Sequence, residues 1–301
     1  MKNDVSIAAV VSTYNRLDKL KNALAAFESQ EVFPNYLIIV DNGSTDGQTL
    51  AFLESWCRKE SGFKKFVVHL DENKGASYGF NAGFEKAIEL NADWVWVSDD
   101  DGYPDKEAFK NANLFLEKNH DDSLAAICGT VITRNSIDFS HRRTYYIDRR
   151  NNFRELLSKP SDYEKKCFEI NEFSYVGTLI KKEALLDVGL ASTDYYIWFI
   201  DTEHSIRVSK KYRILCVPGI RICHDTNNKN NVFSWKYYYG VRDILYMVRD
   251  HFPKKVLRKR ITRHHLHMCK MILLLKFNWA KLYWHALKDF KKGIKGKARN
   301  Y

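Results

Sequence analysis

With 301 residues, 45% hydrophobic and 14% aromatic, the chain can build one large domain plus an appendage around a sizeable core, which excludes a mostly disordered protein. The formal charge of +11 belongs to the tail: residues 254–301 carry 15 Lys or Arg against the single acid Asp289, whereas 1–253 hold 33 basic and 36 acidic residues. Six cysteines show no C-x-x-C pair or zinc-like spacing, so a reducing cytosol is expected, and no stretch reaches the roughly 18–20 continuous apolar residues of a bilayer span.

In chain order, residues 5–11 form an apolar run broken by Ser6 and followed at once by a polar loop, a strand rather than a signal peptide. Short β-branched runs predict strands at 7–11, 37–40, 66–70, 94–97 and 124–132. Helical spacing predicts helices at 17–27, 50–57, 79–90 and 108–116. This alternation indicates an α/β fold with a mixed, mostly parallel sheet flanked by helices. Polar clusters at 12–16, 41–47, 71–75 and 98–104 follow the first four strands, where such sheets bind ligands.

Residues 134–171 are polar and weakly periodic, with Arg142-Arg143 and Arg149-Arg150, and read as a long loop able to close over a site. Beyond them the pattern predicts a strand near 173–176, helices near 181–188 and 202–210, strands at 214–217 and 220–223, and an aromatic helix at 235–251. Residues 264–287 read as one basic amphipathic helix. Its apolar face includes Leu266, Ile272, Phe277 and Trp284 and is edged by Lys270, Lys276, Lys281 and Lys288. That suits an anionic membrane surface; the same face could pack on the body or on a second copy as a homodimer, and no nucleic-acid partner is expected.

Asp99-Asp100-Asp101 ends the fourth strand, and adjacent carboxylates repel unless a cation or backbone donors neutralise them. Strand alternation would turn Asp99 and Asp101 one way and Asp100 the other, a pair suited to Mg²⁺ or Mn²⁺. An Asp-rich turn capping the next helix is the alternative. Asp41 to Gly47 could receive a base or ribose, or be a plain turn. Asn73, Gly75, Gly79, Asn81 and Gly83 either line a diphosphate channel or permit close helix packing. Asp201 and Thr202 stand at a helix start, as caps or as catalysts. Glu203 is four residues from Arg207 and can pair with it, and His224 after a strand end could complete a metal shell.

Taken in order, Val10 to Arg16, Asp41 to Gly47, Asn73 to Gly83, Asp99 to Asp101 and Trp198 to Arg207 resemble the family 2 glycosyltransferases, over about residues 5–250. The pattern is most similar to galactofuranosyl and rhamnosyl transferases of bacterial surface polysaccharides. Their later motif reads roughly Trp-x-Asp-Asp-x-Glu-x-x-x-Arg, and here Ile200 replaces its first Asp.

The resemblance implies a GT-A fold over 1–253, with a nucleotide-sugar half at 1–133, an acceptor half at 134–253 and a tail at 254–301. It implies Mn²⁺ or Mg²⁺ at Asp99, Asp101 and His224. Thr13, Tyr14, Arg16, Asp41, Asn73 and Asp100 would bind the UDP- or dTDP-sugar, with Tyr14 and Asp41 on the base. Asp201, with Glu203 beside it, would be the base of an inverting transfer. The acceptor would be a lipid-linked or growing polysaccharide, at the cytoplasmic face of the cell membrane. Two rivals follow from the residues: an aspartyl-phosphate phosphatase, disfavoured by Tyr103-Pro104 after the Asp-x-Asp, and a non-catalytic nucleotide or glycan module.

Overall fold

The computed structural model describes residues 5–226 and 233–298. All seven residues of β1 (Ile7–Thr13) are buried, as a central strand covered on both faces requires. It is followed by α1 (Leu17–Glu28), β2 (Tyr36–Asp41), α2 (Thr49–Cys57), β3 (Lys64–His69), α3 (Ala76–Glu89) and β4 (Trp94–Asp99). These strands form the parallel block β3-β2-β1-β4. Two glycines set how closely α3 lies on it. A Cβ on Gly83 would stand 2.2 Å from Val10 Cγ1, and one on Gly79 would stand 2.6 Å from Ser12 Oγ. These glycines of the small-residue run therefore serve packing.

The chain continues through β5 (Gly102–Pro104), α4 (Ala108–Lys118), β6 (Leu124–Thr133), β7 (Ser136–Ile137), β8 (Arg142–Ile147), β9 (Phe153–Leu157), β10 (Phe168–Ile170), β11 (Glu172–Phe173) and β12 (Thr178–Lys181). Then come α5 (Lys182–Val188), α6 (Ile200–Ser209), β13 (Arg213–His224) and α7 (Lys236–His251). β12 inserts antiparallel between β4 and β6, β13 lies parallel to β6, and β10 closes that edge. The sheet is thus mixed and mostly parallel, as expected.

The strand expected near 173–176 is replaced by β11, ending at Phe173, and β12, beginning at Thr178, and three larger expectations change. The expected loop at 134–171 contains β7 to β10, and β8 and β9 join β11 in a separate three-stranded sheet. Its alternation was hidden because the inward residue at the start of β8 is a charge: Arg142 is fully buried, donating from Nε to Gly129 O at 2.8 Å and from Nη2 to Val176 O at 2.6 Å. The two strands expected at 214–217 and 220–223 are one strand, β13, with an irregularity between Cys216 and Arg221. Pro218, which has no N–H to give to a ladder, sits there.

The single helix expected at 264–287 is a hairpin of α8 (Lys254–Leu273) and α9 (Phe277–Lys292). Leu275 turns the chain at φ 56°. α9 packs on α7 through Leu282 and Ala286 against Tyr238 and Tyr239. After Gly293 the chain returns along α7, where Arg242 Nη2 donates to Gly296 O and Tyr246 Oη donates to Ile294 O, both at 2.8 Å. Among the described residues no helix is long and apolar enough to cross a membrane.

Candidate active site

A cavity of about 590 Å³ opens beyond the carboxyl ends of β1 and β4, a size suited to a small-molecule ligand. Strand register builds its floor. Ser12 lies beside Asp99 and Thr13 beside Asp41, while pairing of β5 with β13 sets His224 opposite Gly102, next to the aspartates. Thr13, Tyr14, Arg16, Asn73, Asp99, Asp100, Asp101, Asp201 and His224, all expected from the sequence, line this one space.

The charges on the floor are already partly balanced. Arg16 reaches Asp100 Oδ1 with Nη1 at 2.8 Å and Asp101 Oδ2 with Nη2 at 2.5 Å. Thr13 Oγ1 donates to Asp100 Oδ2 at 2.7 Å, and His224 Nε2 lies 3.4 Å from Asp101 Oδ1. Burial, then the charges of Asp101 and Asp100, push the Asp99 carboxyl up; burial raises Asp100 to about 6 against the opposing pull of Arg16. Burial also acts to raise Asp101, but hydrogen bonds from His224 and Arg16 outweigh it and hold that carboxyl low. His224 is correspondingly raised, its burial outweighed by Asp101.

β4 ends at Asp99, and Asp100 and Asp101 lie in the turn after it, so the strand alternation expected to separate Asp100 from its neighbours stops at Asp99. Among the described residues no group of three or more His, Cys, Asp or Glu forms a ready metal shell. What Asp99, Asp101 and His224 offer is a partial set of carboxylate and imidazole donors on an open cavity. That fits a divalent cation completing its shell with phosphate oxygens and water.

An aromatic wall that the sequence pattern largely missed, including Tyr196, Trp198 and Trp235, lines the same cavity. Gly75 lets this wall approach α3. It has φ 118°, and a Cβ there would lie 2.6 Å from Tyr196 O, which accepts from Ala76 N at 2.9 Å. Asp201 occupies the first turn of α6, behind Phe199 at φ 66°, a strained conformation for a bulky residue. His141 and Ser174 also line the cavity, with His141 Nδ1 2.6 Å from Ser174 Oγ and its ring edge-on to His224 at 5.0 Å. His141 belongs to the stretch expected to close over a site, and that expectation was its only signal.

Two expected site residues lie outside the lining. Asp41 is fully buried, accepting from Ser44 N at 3.0 Å and standing 2.9 Å from His69 Nδ1, so it organises the turn after β2. Glu203 is 4% exposed and receives Arg207 on both oxygens, at 2.8 and 2.9 Å, and His251 Nε2 at 2.8 Å. Its carboxylate is spent on holding α6 to α7.

The family model described as "Glycosyl transferase family 2" matches residues 8–189, more than half of the chain. The chain belongs to this family. It is a glycosyltransferase with a GT-A fold, as the sequence motifs implied. The transferase is 25% identical over 310 residues to the dTDP-rhamnosyl transferase RfbF of Shigella flexneri, covering 98% of each chain. It is 30% identical over 153 residues to the galactofuranosyltransferase GlfT1 of Mycolicibacterium smegmatis, covering 51% of this chain and 47% of that one. The crystal structure of GalNAc-T7 with UDP, GalNAc and Mn²⁺ superimposes with a TM-score of 0.65 at 14% identity, over 83% of this chain and 48% of that one, a likeness of fold. The family match contains the aspartate triplet, whereas Asp201 and His224 of the transferase lie beyond it.

Proposed function

We propose that this glycosyltransferase moves one sugar, galactofuranose or rhamnose, from a UDP or dTDP donor to a hydroxyl of a growing or lipid-linked bacterial polysaccharide, inverting the anomeric carbon. The observation that supports this reading is that Asp201, from the first turn of α6, and the triplet Asp99 to Asp101, from the end of β4, line one cavity. The names of RfbF and GlfT1 support the two sugars, and the Mn²⁺ named with GalNAc-T7 supports a divalent metal.

Asp99, Asp101 and His224 would hold Mn²⁺ or Mg²⁺, which supplies neutralisation of the diphosphate as negative charge builds on it. Asp201 accepts the proton of the acceptor hydroxyl as that oxygen forms its bond to the anomeric carbon and the bond to the diphosphate breaks. Tyr14, 37% exposed at the rim, offers a ring to the base. Thr13 and Asn73 offer polar contacts, and Asp41 acts at one remove by fixing its turn. Arg16 and Lys236 are cations on the lining, suited to the donor phosphates. Residues 1–133 carry most donor contacts and 134–253 the acceptor wall.

Asp201→Asn should lower transfer by about 10²–10⁴-fold while retaining Mn²⁺-dependent donor binding by calorimetry. Unchanged turnover removes Asp201 from the mechanism. Asp99→Ala and Asp101→Ala should weaken metal-dependent nucleotide binding; full affinity in both would sink the metal assignment.

A further inference from the structure

Turns in water-facing hairpins are built from Gly, Asn, Asp, Ser and Pro, yet α8 and α9 are joined through Ile272-Leu273-Leu274-Leu275-Lys276-Phe277. Leu273 is 83% exposed, Leu275 74% and Phe277 60%, and Ile272 and Leu274 are about half exposed. The turn is well made: Lys276 N donates to Met271 O at 2.8 Å and Leu275 N to Ile272 O at 2.9 Å, the paired closing bonds of a helix C-terminus. The residue at φ 56° in that motif is ordinarily glycine, and here it is a leucine that accepts backbone strain to present an apolar side chain. The apolar tip is therefore a feature of an ordered turn rather than of a frayed end.

Its surroundings say what covers it. Lys270 and Lys276 flank the tip and Lys281 and Lys288 follow on α9, within a tail of 15 Lys or Arg and one acid. A second copy would bring like charges together, whereas an anionic lipid surface meets both the leucines and the lysines. The tip is also joined to the cavity. Trp279, in the first turn of α9, contacts the rings of Phe233 and Tyr237 at 5.2 and 4.8 Å, and Tyr237 meets Trp198 edge-on at 5.3 Å. Trp198 and the neighbouring Trp235 and Lys236 line the cavity.

We propose that the α8–α9 tip, residues 272–277, enters the headgroup region of an anionic bilayer end-on and holds the aromatic wall of the cavity at the lipid surface. This differs from the in-plane helix expected from the sequence, because the break at Leu275 gathers the apolar residues at a corner instead of along one face. The anchoring stands independently of the transferase chemistry.

The test is co-sedimentation of the full chain with phosphatidylglycerol-containing vesicles and with pure phosphatidylcholine vesicles, alongside the variant Leu273→Glu/Leu275→Glu. Both residues are exposed, so the variant should melt as the native protein does. Expected are binding to the anionic vesicles that weakens with salt, little binding to the neutral ones, and a loss of at least about tenfold in the variant. Equal binding by native protein and variant, or no binding to anionic vesicles at low salt, would overturn the proposal. So would a native dimer in sedimentation equilibrium that the variant dissolves, since the tip would then be a contact between copies. None of these readouts uses a donor sugar, so their failure is separate from any failure of the proposed transfer reaction.

Discussion

Replacing Glu203 by Gln separates a supporting carboxylate from a reacting one. Burial alone would raise Glu203, but hydrogen bonds from His251 and Arg207 outweigh it and lower its pKa from 4.5 to about 2. That difference corresponds to about 3 kcal/mol of stability at neutral pH. The variant should lose somewhat less, about 2–3 kcal/mol, because Gln keeps one acceptor oxygen and Arg207 keeps other partners. Arg207 Nη1 and Nη2 still reach Val188 O, Gly189 O and Leu190 O at 2.5, 2.8 and 2.7 Å. With about 2.1 cal/mol/K of unfolding entropy per residue, the melting temperature should drop by about 3–5 °C at pH 7. The folded-state pKa lies below the unfolded value, so this stabilisation is complete above pH 4.5 and is lost as pH falls toward 2. Native and variant melting curves should therefore converge on acidification. Transfer per folded molecule should stay near native in Glu203→Gln. A variant that melts with the native protein yet transfers no sugar would refute the reasoning and return Glu203 to the chemistry.

Two further perturbations probe the floor and the wall. Gly75→Ala forces an L residue to φ 118° and a Cβ to 2.6 Å from Tyr196 O, so it should cost about 1–3 kcal/mol and, through the hydrogen bond from Gly75 N to Asn73 Oδ1, weaken donor binding; native melting and affinity would show that this turn and the wall move freely. Arg16→Gln removes the internal partner of Asp100 and Asp101, so without metal the melting temperature should fall, and added Mn²⁺ should raise it by more than in the native protein. An equal Mn²⁺ response in both would mean that Arg16 and the cation do not share these carboxylates.

The parallel half of the fold was legible because β1, β2 and β4 are buried on nearly every residue and read as continuous apolar runs. The second sheet was not, since its inward position at Arg142 is filled by a charge whose partners are carbonyls distant in sequence. Local pattern cannot report such a partner. The same distinction sorts the site. Asp99 to Asp101, Tyr14 and Asp201 belong to short motifs whose chemistry is visible in their residue types. Glu203 belongs to a motif too, and its pairing with Arg207 follows from their four-residue spacing, but its second partner, His251, lies 48 positions away. His141 enters the cavity only because β8 folds beside β11 and brings it to Ser174.

Arg16 shows what the structure adds to the aspartate triplet. Three neighbouring carboxylates repel one another and call for a cation or for donors to neutralise them. The fold supplies that neutraliser from β1's loop, 85 positions from Asp101, with His224 on the other side. The triplet can thus be stable without a cation, and charge repulsion alone no longer argues for one. The argument for metal passes to the donor set and to the open cavity. On the proposed assignment a cation held by Asp99, Asp101 and His224 would compete with Arg16 for Asp101, and Arg16 would remain on the lining as a partner for the phosphates. On that assignment Arg16 and the metal would share Asp101, which is why the Mn²⁺ response of Arg16→Gln tests the metal site without measuring turnover.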